Sequence, residues 1–249
     1  QAVNSIIVGD FYHASSRGGS AAVMGSKNLK AIAVRGSKEI KIADPEGFME
    51  AYDEWWKALD PEQCIDFYHR AWGSAGDMFI MEFLRAYGGL CTRNDQEGVF
   101  EEAEKIGTSV MRNYVLRPQS CFACCMPSCT QLHSNNGRIL KIHAGSIMSL
   151  GPNLGVSDIS AIMDNHVLCN DLGLDNYAAM CISWAFEAYE KGLITAKDTG
   201  GLELKWGDSR AVTEMIKKIA YRQDIGDILA DGVKVASEKY GGKEFALQS

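Results

Sequence analysis

The chain has 249 residues, of which 46% are hydrophobic, and a formal net charge of −7. This hydrophobic content is sufficient to bury the core of one large domain or two modest ones, while an acidic chain lacks the clustered Lys and Arg that a broad nucleic-acid surface requires. Because the sequence has no uninterrupted apolar run of about 18 residues and no basic segment followed by an apolar stretch at its start, we expect neither a membrane span nor a signal peptide, and hence a cytoplasmic globular protein.

Short strands are predicted near the N-terminus. Residues 6–8 and 29–34 are apolar or β-branched runs bounded by glycine, which is typical of buried strands, and residues 40–42 are a candidate for a third. Between the first two runs, residues 15–27 are small and glycine-rich. The chain begins at Gln1 without a methionine, so we expect it to be part of a longer polypeptide.

Helices are predicted after this segment. Asp44-Pro45-Glu46 has the N-cap, first-turn proline and first-turn acid that open a helix, here extending to about Leu59. A second helix is predicted over 75–87, and a loop-rich stretch follows from 90 to about 151.

Four further helices are predicted in the C-terminal part, over 157–173, 177–191, 212–219 and 228–240. Ser157 is the expected N-cap of the first, and Asp175 or Asn176 that of the second. The second is apolar almost all round, so we expect it to be buried. The predicted fold class is therefore mainly α, with a β-containing segment, 1–42, before a helical domain, 43–249.

Half of the eight cysteines lie within nine residues, as Cys121, Cys124, Cys125 and Cys129. Cytosolic thiols are kept reduced, so this cluster indicates metal or redox chemistry rather than a disulfide scaffold. A C-x2-C pair with a third cysteine close behind is typical of iron–sulfur ligands and also of half a zinc site. The iron–sulfur interpretation is preferred because the second pair of a closed zinc site is missing from the sequence.

A cubane cluster needs four thiolates, but the adjacent Cys124 and Cys125 seldom both reach one cluster. The fourth ligand is therefore expected after Ser249 or among the scattered cysteines, which are Cys64, Cys91, Cys169 and Cys181. The alternative for each of these is a buried thiol that acts as a small hydrophobic side chain.

The glycine-rich stretch from Ser15 to Ile32 resembles the R-G-G-x-G-A-V-M-G-S-K-N-L-K-A-I signature of the aldehyde:ferredoxin oxidoreductase family. Small residues let backbone amides approach phosphate groups, and Arg17 and Lys27 add positive charge. The stretch is not a P-loop, because five residues separate Gly19 from Gly25 where a Walker loop has four.

Three further stretches resemble the same family in the same order. Residues 90–98 are similar to L-P-T-R-N-F-Q-x-G, the cysteine loop to C-x2-C-x3-C, and residues 169–175 to the pterin-contacting turn D-x-x-G-L-D. The chain departs from the pattern in spacing, since Cys124 and Cys129 are separated by four residues. Ala21 and Asn170 also replace a glycine and an aspartate of the family.

The resemblance implies a tungsten or molybdenum ion held by two pterins, Mg²⁺ bridging their phosphates, and a [4Fe-4S] cluster. The residues it assigns to pterin phosphate are Arg17, Gly18, Gly19, Ser26 and Lys27, and those it assigns to a pterin ring are Asn170, Leu174 and Asp175. The cluster ligands would be Cys121, Cys124 and Cys129, with Cys125 as the alternate to Cys124. Residues 1–42 would be the end of an N-terminal α+β pterin-binding domain.

The family's aldehyde-oxidising members have E-Y-E where this chain has His143-Ala144-Gly145. No carboxylate remains there, so His143 is the candidate for moving protons, because imidazole titrates near neutrality. A lone histidine is also common as a hydrogen-bonded structural residue, which is the interpretation we favour for His166 on its predicted helix.

The function implied is oxidation of an aldehyde to a carboxylic acid, with electrons passing to ferredoxin or a ferredoxin-like subunit in an oligomeric enzyme. The small-molecule partner would be an aldehyde or acyl substrate. The chain alone is expected to be inactive. One alternative is the tungsten subunit of a class II benzoyl-CoA reductase. Others are a non-catalytic iron–sulfur relay subunit and a zinc-stabilised interaction module.

Overall fold

The structure is a computed structural model that describes residues 3–9, 13–15, 18–58, 84–119, 129–135 and 137–247. The fold is mainly α with two small antiparallel sheets, which confirms the predicted class. The helices are α1 (Ser20–Ser26), α2 (Pro45–Ala58), α3 (Thr108–Met111), α4 (Ala144–Leu150), α5 (Ile159–Asp171), α6 (Ala178–Glu190), α7 (Ser209–Tyr221), α8 (Ile225–Leu229) and α9 (Val233–Tyr240). The strands are β1 (Ile7–Gly9), β2 (His13–Ser15), β3 (Val115–Gln119), β4 (Cys129–His133) and β5 (Ile139–Ile142).

Side-chain caps fix the starts of the two helices α2 and α5. Helix α2 begins at Pro45 as predicted, and Asp44 Oδ1 accepts a hydrogen bond from the Gly47 amide at 3.0 Å. The prediction of Ser157 as the cap of α5 was wrong by one residue. Asp158 is the N-cap and accepts from two first-turn amides, while the Ser157 hydroxyl donates to Glu102 Oε2 at 2.6 Å. Both side chains are good caps, and only a distant partner decides between them.

The strand predictions near the N-terminus were correct only in part. Strand β1 pairs antiparallel with β2, with Val8 opposite Ala14. Residues 29–34 and 40–42 form no strand, and Val34 and Ile40 are 89% and 84% exposed, so the prediction of buried strands there was wrong. An apolar run can provide the side chains of a buried strand, but a strand also needs a neighbouring strand for its backbone hydrogen bonds. Within the described ranges, no strand lies beside these residues.

A three-stranded sheet lies inside the stretch that was predicted to be loop-rich. Its order is β3-β4-β5, all antiparallel, with Leu132 opposite Leu140 and Thr130 opposite Ile142. Leu132, Leu140 and Ile142 are fully buried, so one face of the sheet joins the core. The strands have four or five residues each, and such short strands are hard to recognise among turn-forming residues.

Helix α6 is the centre of the core. Ile182, Trp184 and Phe186 are all buried, which confirms the prediction of a buried helix. Trp184 Nε1 donates to the Gly242 carbonyl at 3.1 Å and so ties α6 to the chain after α9. The apolar stripe of α7 is also buried, as its spacing predicted.

The helix predicted over 228–240 is divided in two. Helix α8 ends at Leu229 and α9 begins at Val233, with Gly232 at φ +96° between them. A positive φ cannot continue a right-handed helix, although it leaves the apolar spacing unbroken. Most of the helix predicted over 75–87 lies outside the described residues.

Candidate functional site

A cleft of about 550 Å³ lies between the glycine-rich segment and the end of α5. Met24, Gly25 and Lys30 line it on one side, and residues 170–173 line it on the other. The strand residues 6–8 complete the wall. The structure therefore brings together two stretches, far apart in sequence, that both resemble pterin-contacting motifs.

Backbone hydrogen bonds fasten the N-terminal segment to the turn after α5. The Ile6 amide donates to the Gly173 carbonyl and the Asp175 amide donates to the Asn4 carbonyl, each at 2.8 Å. Ser5 and Leu174 form an isolated antiparallel bridge between these two bonds. Gly173, at φ +70°, is where the chain reverses to make this pairing.

None of the described residues predicted to face pterin phosphate belongs to the cleft lining, although Ala21, Met24 and Gly25, which lie among them in the sequence, do. Gly18 and Gly19 precede α1, and a Cβ added at either would meet no atom within 4 Å. Ser26 uses its hydroxyl within α1, donating to the Val23 carbonyl at 2.7 Å. Lys27 follows α1, whereas Lys30 lines the cleft. Arg17 lies outside the described residues.

Lys30 was not singled out from the sequence. It belongs to the N-L-K-A-I part of the same motif, so the sequence already showed a basic residue at this position. Which of several lysines in a short motif reaches a cleft depends on where α1 ends, and that boundary cannot be read from glycine-rich sequence.

The residues predicted to hold a pterin ring divide between the cleft and the core. Asn170 lines the cleft and its side-chain amide donates to the His166 carbonyl at 2.9 Å. Leu174 is buried beneath the N-terminal segment. Asp175 is buried as well, and its Oδ1 accepts from the Tyr177 amide at 2.8 Å, so it shapes the turn that leads into α6.

The His166 side chain is buried and contacts both Lys141 of β5 and Asn176 in the turn before α6. Its Nε2 lies 2.6 Å from the Lys141 carbonyl, so Nε2 carries the proton and donates. Its Nδ1 lies 3.0 Å from Asn176 Oδ1, and with the proton on Nε2 this contact is a hydrogen bond only when the Asn176 amide is turned so that its NH₂ group faces Nδ1. Burial, which is the largest cause, and the charge of the nearby His143 together lower the pKa of His166 to about 4. The structural interpretation of His166 agrees with this geometry.

The depressed pKa of His166 predicts a pH dependence of stability. The unfolded histidine binds a proton near pH 6.5 and the folded one only near pH 4, so the free energy of unfolding should fall as the pH drops through this window. Between pH 7 and about pH 4.5 the loss from this residue should be about 2–3 kcal/mol. Urea unfolding of wild type and His166→Gln at both pH values measures it, and an equal pH dependence in the two proteins would contradict the assignment.

His143 occupies the N-cap position of α4, and its side chain is half-buried. Close by, in the first turn of α4, Gly145 packs against Tyr177, and a Cβ at this glycine would lie 3.2 Å from Tyr177 Oη. The proton-transfer candidate therefore lies two residues before the glycine that packs against Tyr177, and close enough to His166 to lower its pKa. Tyr177 was not predicted as a site residue, because only the fold brings it to α4.

Of the predicted cluster ligands, the structure describes only the backbone of Cys129, which begins β4 opposite Gln119. Cys121, Cys124 and Cys125 lie outside the described residues, as does Cys64. In the described part, no three His, Cys, Asp or Glu residues are grouped so that they could hold a metal.

The other scattered cysteines lie in the folded part and form no disulfide. Burial raises the pKa of Cys169 to about 12, and burial together with Asp95 raises that of Cys91 to about 11. Cys181 is buried on α6.

The chain is similar in sequence to a family model and to several known proteins. Residues 54–249 match the family model described as aldehyde ferredoxin oxidoreductase, domains 2 and 3. The tungsten-containing aldehyde ferredoxin oxidoreductase of Thermococcus kodakarensis is 37% identical over 248 residues, which is 97% of this chain and 40% of that protein. The aliphatic sulfonate oxidoreductase, WOR-like subunit, of Pyrococcus furiosus is 30% identical over 235 residues, 91% of this chain and 36% of that protein.

A solved structure has a similar fold. It is the active site complex BamBC of benzoyl coenzyme A reductase in complex with 1,5 dienoyl-CoA, with a TM-score of 0.76 and 23% identity over 98% of this chain and 38% of that one. The chain thus spans about 40% of the length of the curated relatives it matches. Within the described ranges, no helix has the length and apolar content needed to cross a bilayer.

Proposed function

Since the chain belongs to the aldehyde ferredoxin oxidoreductase family, we propose that it is part of a tungsten–pterin enzyme that oxidises an aldehyde to a carboxylic acid. Relatives in this family are oxidoreductases and contain tungsten, as their names state. The observation that carries the proposal is the cleft, because the glycine-rich segment and the end of α5 form its two walls.

The volume and the lining of the cleft support the binding of a pterin there. Lys30 contributes positive charge toward phosphate, and Gly25 lets backbone come close to the ligand. Asn170 offers a side-chain amide near the ring, while Met24 and Leu172 supply apolar surface that excludes water. Gly18 and Gly19 border open space, so a phosphate group, with or without Mg²⁺, has room beside them. When bound, a tungsten–pterin supplies two-electron oxidation at the substrate carbon.

We assign electron transfer to a [4Fe-4S] cluster held by Cys121, Cys124 and Cys129, with Cys125 as the alternate to Cys124. Soft thiolates in one short loop favour iron. Ferredoxin or a ferredoxin-like subunit would accept the electrons. We further propose that the complete enzyme is cytoplasmic and oligomeric.

The proposed reaction converts an aldehyde and water into a carboxylic acid, two electrons and two protons. A group must therefore accept protons close to the substrate. His143 is the candidate because it is half-buried and lies at the start of α4, beside Gly145. His166 is unsuited to this role, because burial keeps it neutral over the physiological range and both its nitrogens are engaged.

A second candidate function is reduction of an aromatic thioester by a benzoyl-CoA reductase-like enzyme. The absence of a carboxylate in His143-Ala144-Gly145 favours it, and the similar fold is compatible with it. A subunit that retains the iron–sulfur cluster but binds no pterin metal would instead act only as an electron relay.

The test is metal analysis and assay of the full-length protein isolated anaerobically. Tungsten and pterin together with iron, and oxidation of short aldehydes with ferredoxin as acceptor, are the expected results. Activity with benzoyl-CoA alone would support the second function. Iron without tungsten, molybdenum or pterin would identify a relay subunit, and zinc without iron would contradict all three.

A further inference from the structure

One face of the β3-β4-β5 sheet is apolar and belongs to the core, whereas the other face carries a row of long polar side chains. Arg117, Gln131 and Lys141 are directly opposite one another on the three adjacent strands. Arg117 Nε donates to Gln131 Oε1 at 2.8 Å, so these two side chains are in contact. Paired residues of antiparallel strands share a face, and the row therefore lies on the face opposite to Leu132 and Leu140.

This row is positively charged and mostly buried. Lys141 is only 1% exposed and Gln131 5%, while Arg117 is exposed. Gln131 adds no charge, and its Nε2 donates to Gln119 Oε1 at 2.6 Å. None of the residues that form these three strands is an Asp or a Glu. A charge held away from water acts more strongly on a neighbouring group than a charge in solution does, so the face favours a negative group beside it.

The register of the sheet places Cys129 on the same face. Cys129 begins β4, two residues before Gln131, and alternate residues of a strand share a face. Arg117 and Lys141 lie on the strands at either side of β4, and both are diagonal neighbours of Cys129. Diagonal neighbours are roughly 7–8 Å apart, a distance that long side chains can cross. Two cationic residues thus lie beside the position of a proposed cluster ligand.

We propose that Lys141 and Arg117 raise the reduction potential of the iron–sulfur cluster by placing positive charge beside it. The inference rests on the proposed function, because it concerns the cluster assigned to the loop that ends at Cys129. Net charge near an iron–sulfur cluster is one of the factors that set its potential. Reduction adds one negative charge, so nearby cations stabilise the reduced state relative to the oxidised state. Lys141 should have the larger effect, since solvent and salt screen the exposed Arg117.

The test is a redox titration of the anaerobic full-length protein, followed by electron paramagnetic resonance. Lys141→Met keeps a long unbranched side chain and removes its charge. It should lower the equilibrium constant for one-electron reduction about tenfold, which is a fall in potential of about 60 mV. Arg117→Gln should lower the potential by less. Lys197→Met, which changes an exposed lysine outside the sheet, is the matched control and should leave the potential unchanged.

Iron content is measured in every variant, so that a shifted potential is not confused with a lost cluster. An unchanged or raised potential in both Lys141→Met and Arg117→Gln, with iron retained, would overturn the inference and leave the proposed function intact. If Lys141→Met loses its iron, Arg117→Gln decides alone by the same criterion. Wild-type protein without iron would reject the assigned cluster and the inference with it. The expected shifts in a protein that contains iron but no tungsten or pterin would support the inference and reject the proposed oxidation.

Discussion

Replacing Cys129 with serine is expected to remove most of the iron from the full-length protein, together with its brown absorption near 400 nm. A cubane bound by three thiolates of one loop loses a ligand that the harder serine oxygen replaces poorly. Cys129 begins β4, whose pairing with β5 is anchored by buried Leu132 and Leu140, so the sheet should survive the change. Iron analysis and electron paramagnetic resonance of the reduced protein measure the loss.

The matched controls are Cys124→Ser and Cys125→Ser, which differ by one position in the same loop. Only one of them should lose iron as Cys129→Ser does, and we expect it to be Cys124. The opposite result would assign the ligand to Cys125, whereas full iron content in all three variants would show that the loop holds no cluster.

Trp184→Ala should destabilise the region around α6 by about 3–5 kcal/mol. The side chain is fully buried at the centre of the core, and its Nε1 donates to the Gly242 carbonyl at 3.1 Å. Truncation leaves a large cavity and an unsatisfied carbonyl. Hydrogen exchange of α6 peptides, followed by mass spectrometry in increasing urea, measures the local free energy of opening in the full-length protein.

Trp184→Phe is the control for this prediction. It retains most of the aromatic volume and loses the hydrogen bond, so its cost should be about 1–2 kcal/mol. Equal costs for the two substitutions would show that the hydrogen bond, and not packing, dominates at this position.

The sequence predicted helices α2, α6 and α7 well because their signals are local. A cap such as Asp44 and an apolar stripe such as that of α7 each act within a few residues, and both agree with the structure. Strands depend on distant partners. The apolar runs over 29–34 and 40–42 have no neighbouring strand among the described residues, while the short strands β3 to β5 gave little signal of their own.

The sequence motifs indicated which segments form the candidate site, but not how the residues of those segments are arranged in space. The sequence indicated that the glycine-rich segment and the end of α5 contact the same kind of ligand, and the structure places them on opposite walls of one cleft. It could not indicate that Leu174 forms a β-bridge with Ser5, or that the Tyr177 hydroxyl packs against Gly145. Both relations arise from contacts between segments that are far apart along the chain.

The position of α6 makes one wall of a small cavity rigid before any ligand binds. Met180 and Cys181 line a cavity of about 190 Å³ beside Asn4 and Val233, and they belong to the helix whose next turn, around Trp184, forms the centre of the core. A wall of this kind is preorganised, since its side chains are already fixed by packing before any ligand arrives. The entropic cost of ordering the protein on binding is therefore small. The same rigidity limits how far the cavity can adapt to larger molecules.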